Sequence, residues 1–198
     1  MNSQILIQIN NAKEIKIDKK EVLRYLRVPK NNNEIDSMID DISPYVYQSI
    51  KFNALYTEID IKINGDKIDM GIACVESKSL AKNLYGCKKA FLFVATLGIE
   101  NDRAIERAFK IDSAKASVFN CISIALIESF CDYVNDYLGH DKKLRSRFSP
   151  GYGDFSIVYQ KNILEALDAT RKIGITLNNS YMMKPSKTVT AVIGIEEG

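Results

Sequence analysis

The sequence predicts an α+β fold, and three observations carry that prediction. Strand-like and helix-like segments mix along the chain without strict β-α-β alternation. Residues 54–75 read as a hairpin turning at Asn64-Gly65, which implies antiparallel pairing. Residues 112–138 form the longest helical stretch, ended by Gly139.

Each element follows from local chemistry. Residues 5–9 (ILIQI) and 14–17 (EIKI) are short enough and apolar enough for strands. Asp18 is placed to cap a helix running to about Val28, where Pro29 stops it. The polar stretch 31–36 (NNNEID) reads as a loop leading into a helix over 34–51, bent or restarted around Pro44. The alternation in 54–63 predicts a strand, and 67–75 predicts its returning partner. Ser77 caps a short helix through Leu84, with Gly86 just beyond its end.

The compact apolar run 90–98 (AFLFVATLG) predicts a central strand. A helix follows from about Glu100 to Phe109, and then the long helix, closed by Gly139. Residues 140–156, rich in Arg, Ser, Gly and Pro, read as a loop. Residues 157–171 return to helical spacing, and 173–195 is strand-like and interrupted at Pro185. The organisation predicted is a single domain over 1–198, with strands and helices in 1–110 followed by the long helix, loop, helix and strands of 111–198.

The chain's 198 residues are enough for one substantial core. Its 27 basic and 25 acidic residues leave a net charge of +2, no electrostatic basis for nucleic acid or a membrane surface. No stretch reaches the roughly 18 continuous apolar residues of a membrane span. The amino-terminal segment lacks the pattern of a secretory signal. The cysteines at 74, 87, 121 and 131 form no CxxC pair, and His140 is the one histidine, so no metal site is expected. Together these features imply the reducing cytoplasm.

Three segments hold residues able to carry chemistry. Glu128 ends the apolar run 118–127, beside Ile124, Ala125, Cys131 and Asp132 at helical spacing. It either sits half in water at the edge of the stripe or is a buried acceptor for a ligand or an arginine. The loop from Arg147 through Phe148, Ser149, Pro150, Gly151, Tyr152 and Gly153 to Asp154 contains a Pro-Gly turn. There Arg147 offers a planar fork for a carboxylate, Gly151 lets a ligand approach the backbone, and Tyr152 offers a ring for stacking. The plainer reading is a surface turn, with Arg147 belonging to the solvated cluster of Lys142, Lys143 and Arg145. The third segment, 178–187, places Met182 and Met183 between strand-like stretches, as core filler or as an adaptable ligand contact.

In order and spacing these segments resemble the C-terminal activation domain of cobalamin-dependent methionine synthase. That family has a long helix bearing a glutamate, an Arg-Pro-Ala-Pro-Gly-Tyr loop, a helix, a Leu-Thr-Glu-Ser-Phe-Ala-Met-Trp-Pro strand pattern and a Ser-Val-Ser strand. Glu128 falls on the glutamate, Arg147 on the loop arginine, and Pro150, Gly151 and Tyr152 on Pro-Gly-Tyr. Leu177 to Pro185 follow the strand pattern without a gap, with Ser180 and Met183 on its serine and methionine, and Thr188-Val189-Thr190 stands for Ser-Val-Ser. The resemblance covers roughly residues 115–195.

The resemblance implies a bent, mainly antiparallel sheet packed with helices, and a groove for S-adenosylmethionine. It implies ligand binding by Glu128, Arg147, Ser149, Pro150, Gly151, Tyr152, Ser180 and Met183, and a catalytic position for Tyr152 facing a corrin. Arg147 would pair with the methionyl carboxylate, and Glu128 would accept from the ligand's cationic or polar end. The implied activity is reductive reactivation of cobalamin carried by a partner, with an electron from a flavodoxin-type donor. The chain would be one component of a methyltransferase system rather than a complete enzyme. The sequence departs from the family at Gly153-Asp154-Phe155-Ser156, where the family has Pro-Ala-Cys-Pro. It also ends before the family's tyrosine-bearing segment, so the implied form is a separate subunit for a synthase lacking its own activation domain. The alternative is a docking subunit for another corrinoid methyltransferase that does not itself bind S-adenosylmethionine.

Overall fold

A computed structural model describes residues 3–9, 11–29 and 32–196. Its centre is the strand of residues Lys89–Thr96, whose run of apolar residues is buried on both faces. Alternation divides those side chains: Phe91, Phe93 and Ala95 enter one core, and Ala90, Leu92 and Val94 the other. A strand wetted on one face would carry a polar residue at every second position, which is why the whole stretch is hydrophobic.

In chain order the elements are β1 (Ile5–Ile9), α1 (Lys19–Leu26), α2 (Asn33–Ser49), β2 (Phe52–Asp60), β3 (Lys62–Asn64), β4 (Lys67–Asp69), β5 (Cys74–Glu76) and α3 (Lys78–Asn83). They continue with β6 (Lys89–Thr96), α4 (Ile99–Ile111), α5 (Ser113–Leu138), α6 (Gln160–Ala166), α7 (Ala169–Ile173), β7 (Thr176–Leu177), β8 (Met183–Lys184) and β9 (Thr188–Ile195). The main sheet has the order β1-β2-β6-β9, with smaller sheets β3-β4-β5 and β7-β8, and every pairing is antiparallel. The mixed helix and antiparallel-sheet fold expected from the sequence is the one observed. One face of the main sheet packs under α1, α2, α4 and α5, and the other under α3, α6 and α7.

The caps sit where their side chains can use them. Asp18 accepts from the N–H groups of Lys20 and Glu21, Ser77 from Leu80, and Asp112 from Ala114 and Lys115. The helix α5 is long and apolar enough to cross a membrane by composition, yet most of it is buried inside the fold against α1, α2 and α4. Its apolar character is that of a core helix.

Several expectations give way. Residues 14–17 are not a strand, because Asn11 caps a 3-10 turn at Ala12–Glu14 and Ile15 then drops into the core. Pro44 does not interrupt α2, which runs unbroken from Asn33 and so takes up most of the stretch read as a loop. Asn31 lies outside the described residues. The segment 54–75 is not one hairpin. The two-residue turn is Gly65-Asp66, with Gly65 at φ 60°, and it joins only β3 to β4. A second reversal at 70–73 adds β5, while β2 belongs to the main sheet between β1 and β6. Residues 157–171 break into a 3-10 turn (Ile157–Tyr159), α6 and the start of α7, with Asp168 left-handed at φ 51° between the helices.

Candidate functional site

Beyond Gly139 the chain turns back along the open margin of β9. Glu196 N–H donates to Lys143 C=O (2.8 Å), Arg145 N–H to Gly194 C=O (2.8 Å), and Phe148 exchanges bonds with Val192 at 3.0 and 2.9 Å. Residues 143–148 therefore act as a partial fifth strand. They stop at Phe148, and the chain bends away through Pro150 and Gly151, the latter at φ 96°. Strand alternation puts the peptide groups of Thr188 and Thr190 on the same outer edge as those of Val192 and Gly194. With no strand beside them, these two residues border a groove.

The bend is tightly held. Gly151 N–H donates to Phe155 C=O (2.7 Å), Tyr152 N–H to Ser149 C=O (3.1 Å), and Phe155 N–H to Tyr152 C=O (3.0 Å). Phe148 packs edge-on against Tyr152 and tilted against Phe155, with ring centroids 6.3 Å apart in both pairs. Asp154 fastens the far side. It accepts from Ser77 Oγ (2.6 Å) and from the N–H groups of Lys78 (2.8 Å) and Ser79 (3.1 Å), and these donors hold its carboxyl well below the usual carboxylate range. Gly153 is required beside it: φ is 54°, and a Cβ there would lie 2.8 Å from Ser79 Oγ. The sequence departure at 153–156 is thus what ties the loop to α3.

The groove has a volume of about 480 Å³, within the range of small-molecule sites. From α5 come Glu128, Asp132 and Asn135, one stripe at i, i+4 and i+7. The loop contributes Ser146, Arg147, Ser149 and Tyr152, and the far wall is Gln160, Met183 and residues 188–190. Arg147 reaches across to α5, with Nη1 2.8 Å from Asp132 Oδ1 and Nη2 3.6 Å from Glu128 Oε2. Its side chain is 20% exposed against 70% for Asp132 and 47% for Glu128. On the far wall Gln160 is buried. It accepts from Thr190 Oγ1 (3.2 Å) and donates to Tyr181 C=O (2.6 Å), which pins β9 to the 178–182 turn.

Of the residues singled out in the sequence, Glu128, Arg147, Ser149, Tyr152 and Met183 share this groove. Glu128 sits half in water at the end of the apolar stripe, as the first description has it; it faces an arginine but is not buried. Arg147 does not belong with the solvated basic cluster. Pro150 is buried in the bend and Gly151 is exposed, and neither lines the groove. Ser180 does not line it either. It lies exposed in a turn built on Asn178, whose Oδ1 accepts from the N–H groups of Ser180 and Met182.

Asp132 and Asn135 were not assigned roles from sequence, although their helical spacing from Glu128 held that information. Gln160 carried no signal, and Thr190 entered only as part of the Thr188-Val189-Thr190 strand match, without a role in the site. Among the described residues no cluster of three His, Cys, Asp or Glu side chains is placed to hold a metal ion. Cys131, buried behind the stripe, has its thiol pushed up by burial.

The fold and groove define a class: a mixed helix and antiparallel-sheet domain with a charged groove of small-molecule size beside a pinned Pro-Gly-Tyr bend. No family model matches the sequence, and no curated protein matches it. Among solved structures the fold is similar to the crystal structure of the MetH reactivation domain bound to AdoHcy, with a TM-score of 0.70 at 13% identity, over 98% of this chain and 78% of that one. The likeness is one of fold.

Proposed function

We propose that this chain is an accessory subunit for the reductive reactivation of a cobalamin-dependent methionine synthase, and that its groove binds S-adenosylmethionine. The observation that carries the reading is Arg147 meeting Glu128 and Asp132 across a ligand-sized groove, beside Pro150-Gly151-Tyr152, on a fold similar to a reactivation domain crystallised with AdoHcy. The groove suits such a ligand. Its guanidinium fork matches a carboxylate, its acidic stripe matches an ammonium or sulfonium, and Asn135 Oδ1 is buried without a hydrogen-bond partner.

When bound, S-adenosylmethionine would supply the methyl group and remain as S-adenosylhomocysteine, while cobalamin held by the partner and one electron from a flavodoxin-type donor would supply the rest of the chemistry. The chain's own residues bind and orient. Arg147 holds the methionyl carboxylate, Glu128 accepts from the cationic or polar end, and Ser149 and Met183 border the ligand. Tyr152, 60% exposed at the lip, is the residue that faces the corrin. The partner is a cobalamin-binding synthase lacking its own activation domain, and the setting is the cytoplasm.

The test is conversion of cob(II)alamin to methylcobalamin by a truncated synthase with a reductant and S-adenosylmethionine. Conversion that depends on this chain, and is lost in Arg147→Ala, is the expected result. A rate that is the same with and without the chain overturns the reading.

A further inference from the structure

Arg147 is the least exposed of the three charged residues in the groove, and the carboxylate nearest to it, Asp132, is the most exposed. A guanidinium withdrawn from water needs a partner, whereas a pair with a solvated carboxylate is worth little and exchanges readily. The cation is therefore the fixed half of this pair and Asp132 the replaceable half. The lining also holds two carboxylates against one guanidinium, an excess of one negative charge. A ligand carboxylate arriving at Arg147 releases an acid that then lacks a cation. One helical turn further, Asn135 Oδ1 is a second acceptor without a donor.

We propose that Asp132 is a specificity-determining residue of the groove, pairing with Arg147 in the arrangement seen here and turning to the α-ammonium of the ligand once the ligand's carboxylate takes the guanidinium. This rests on the reading of the groove as a site for S-adenosylmethionine and names which chain residue recognises its amino group. The exchange conserves ion pairs: Asp132–Arg147 is replaced by carboxylate–Arg147 and ammonium–Asp132. The groove thereby selects a complete zwitterionic amino-acid end over one lacking either charge.

The test compares two probes on the whole chain by calorimetry: S-adenosylhomocysteine, and its analogue with hydrogen in place of the α-amino group. The wild-type protein is expected to prefer the amino-bearing ligand by about tenfold or more, the size of one charged hydrogen bond. Asp132→Asn should remove that preference by weakening the first ligand alone, and Asp132→Glu should restore part of it. Unfolding curves of the variants should match wild type, since the Asp132 side chain is 70% exposed. A preference that survives in Asp132→Asn assigns the ammonium to Glu128 and overturns the proposal, as does equal weakening of both ligands. No preference in a wild-type protein that binds both probes overturns it too. A wild-type protein that binds neither sinks the S-adenosylmethionine reading itself.

Discussion

Arg147→Ala separates a ligand site from a structural ion pair, because the two predict opposite balances of stability and affinity. In the folded protein the guanidinium pairs with two carboxylates that are 70% and 47% exposed. Pairs to such solvated partners contribute about 0–1 kcal/mol, and removing the cation leaves both acids in water rather than stranded in the core. Unfolding free energy should therefore fall by roughly 1 kcal/mol or less, some of it from lost packing of the arginine stem. Affinity for S-adenosylmethionine should fall further, since the ligand's carboxylate loses a charged fork worth about 2 kcal/mol, close to 30-fold. Urea unfolding and calorimetry on the same preparation read the two numbers. A stability loss of about 3–5 kcal/mol with unchanged affinity would mark Arg147 as a structural anchor and refute the reasoning.

Gly153→Ala should destabilise the fold by about 1–3 kcal/mol, read from urea unfolding, because a Cβ at φ 54° meets Ser79 Oγ at 2.8 Å. Asp154→Ala should destabilise at neutral pH by an amount that shrinks in acid. The folded state depresses this carboxyl, so its contribution is complete well above the ordinary value of 3.8 and is lost as pH falls below it. The gap between wild type and variant should start to narrow only below about pH 3.8 and keep narrowing through still stronger acid, and a constant gap would refute the assignment. Phe93→Ala, in the middle of the central strand and fully buried, should cost about 3–5 kcal/mol in the same assay.

What sequence reading reached, and what it missed, divides along local and non-local physics. Asp18 and Ser77 bond to N–H groups two or three residues away, so the helix starts they mark were legible. The buried central strand declared itself by an unbroken apolar run, and α5 by its length. EIKI at 14–17 alternates like a strand, yet nothing local reveals that no strand lies beside it. Gly65 made a turn visible but not the second reversal at 70–73 that withdraws β4 from β2. Arg147 and Glu128 were legible as chemistry. Their meeting depends on residues 143–148 zipping onto β9, a pairing of distant segments with no signature in either. Ser180 was placed by pattern alone, while the Asn178 turn decides where its side chain goes.

The stretch that carries Arg147 also occupies the rim of a β-sheet. While Arg145 and Phe148 are bonded to Gly194 and Val192, that strand has no free peptide groups there for another molecule to join. Damage that peels this stretch loose would strip the guanidinium from its place and at the same time offer neighbouring molecules an adhesive border. Loss of activity and onset of clumping would then arrive together, from one failure.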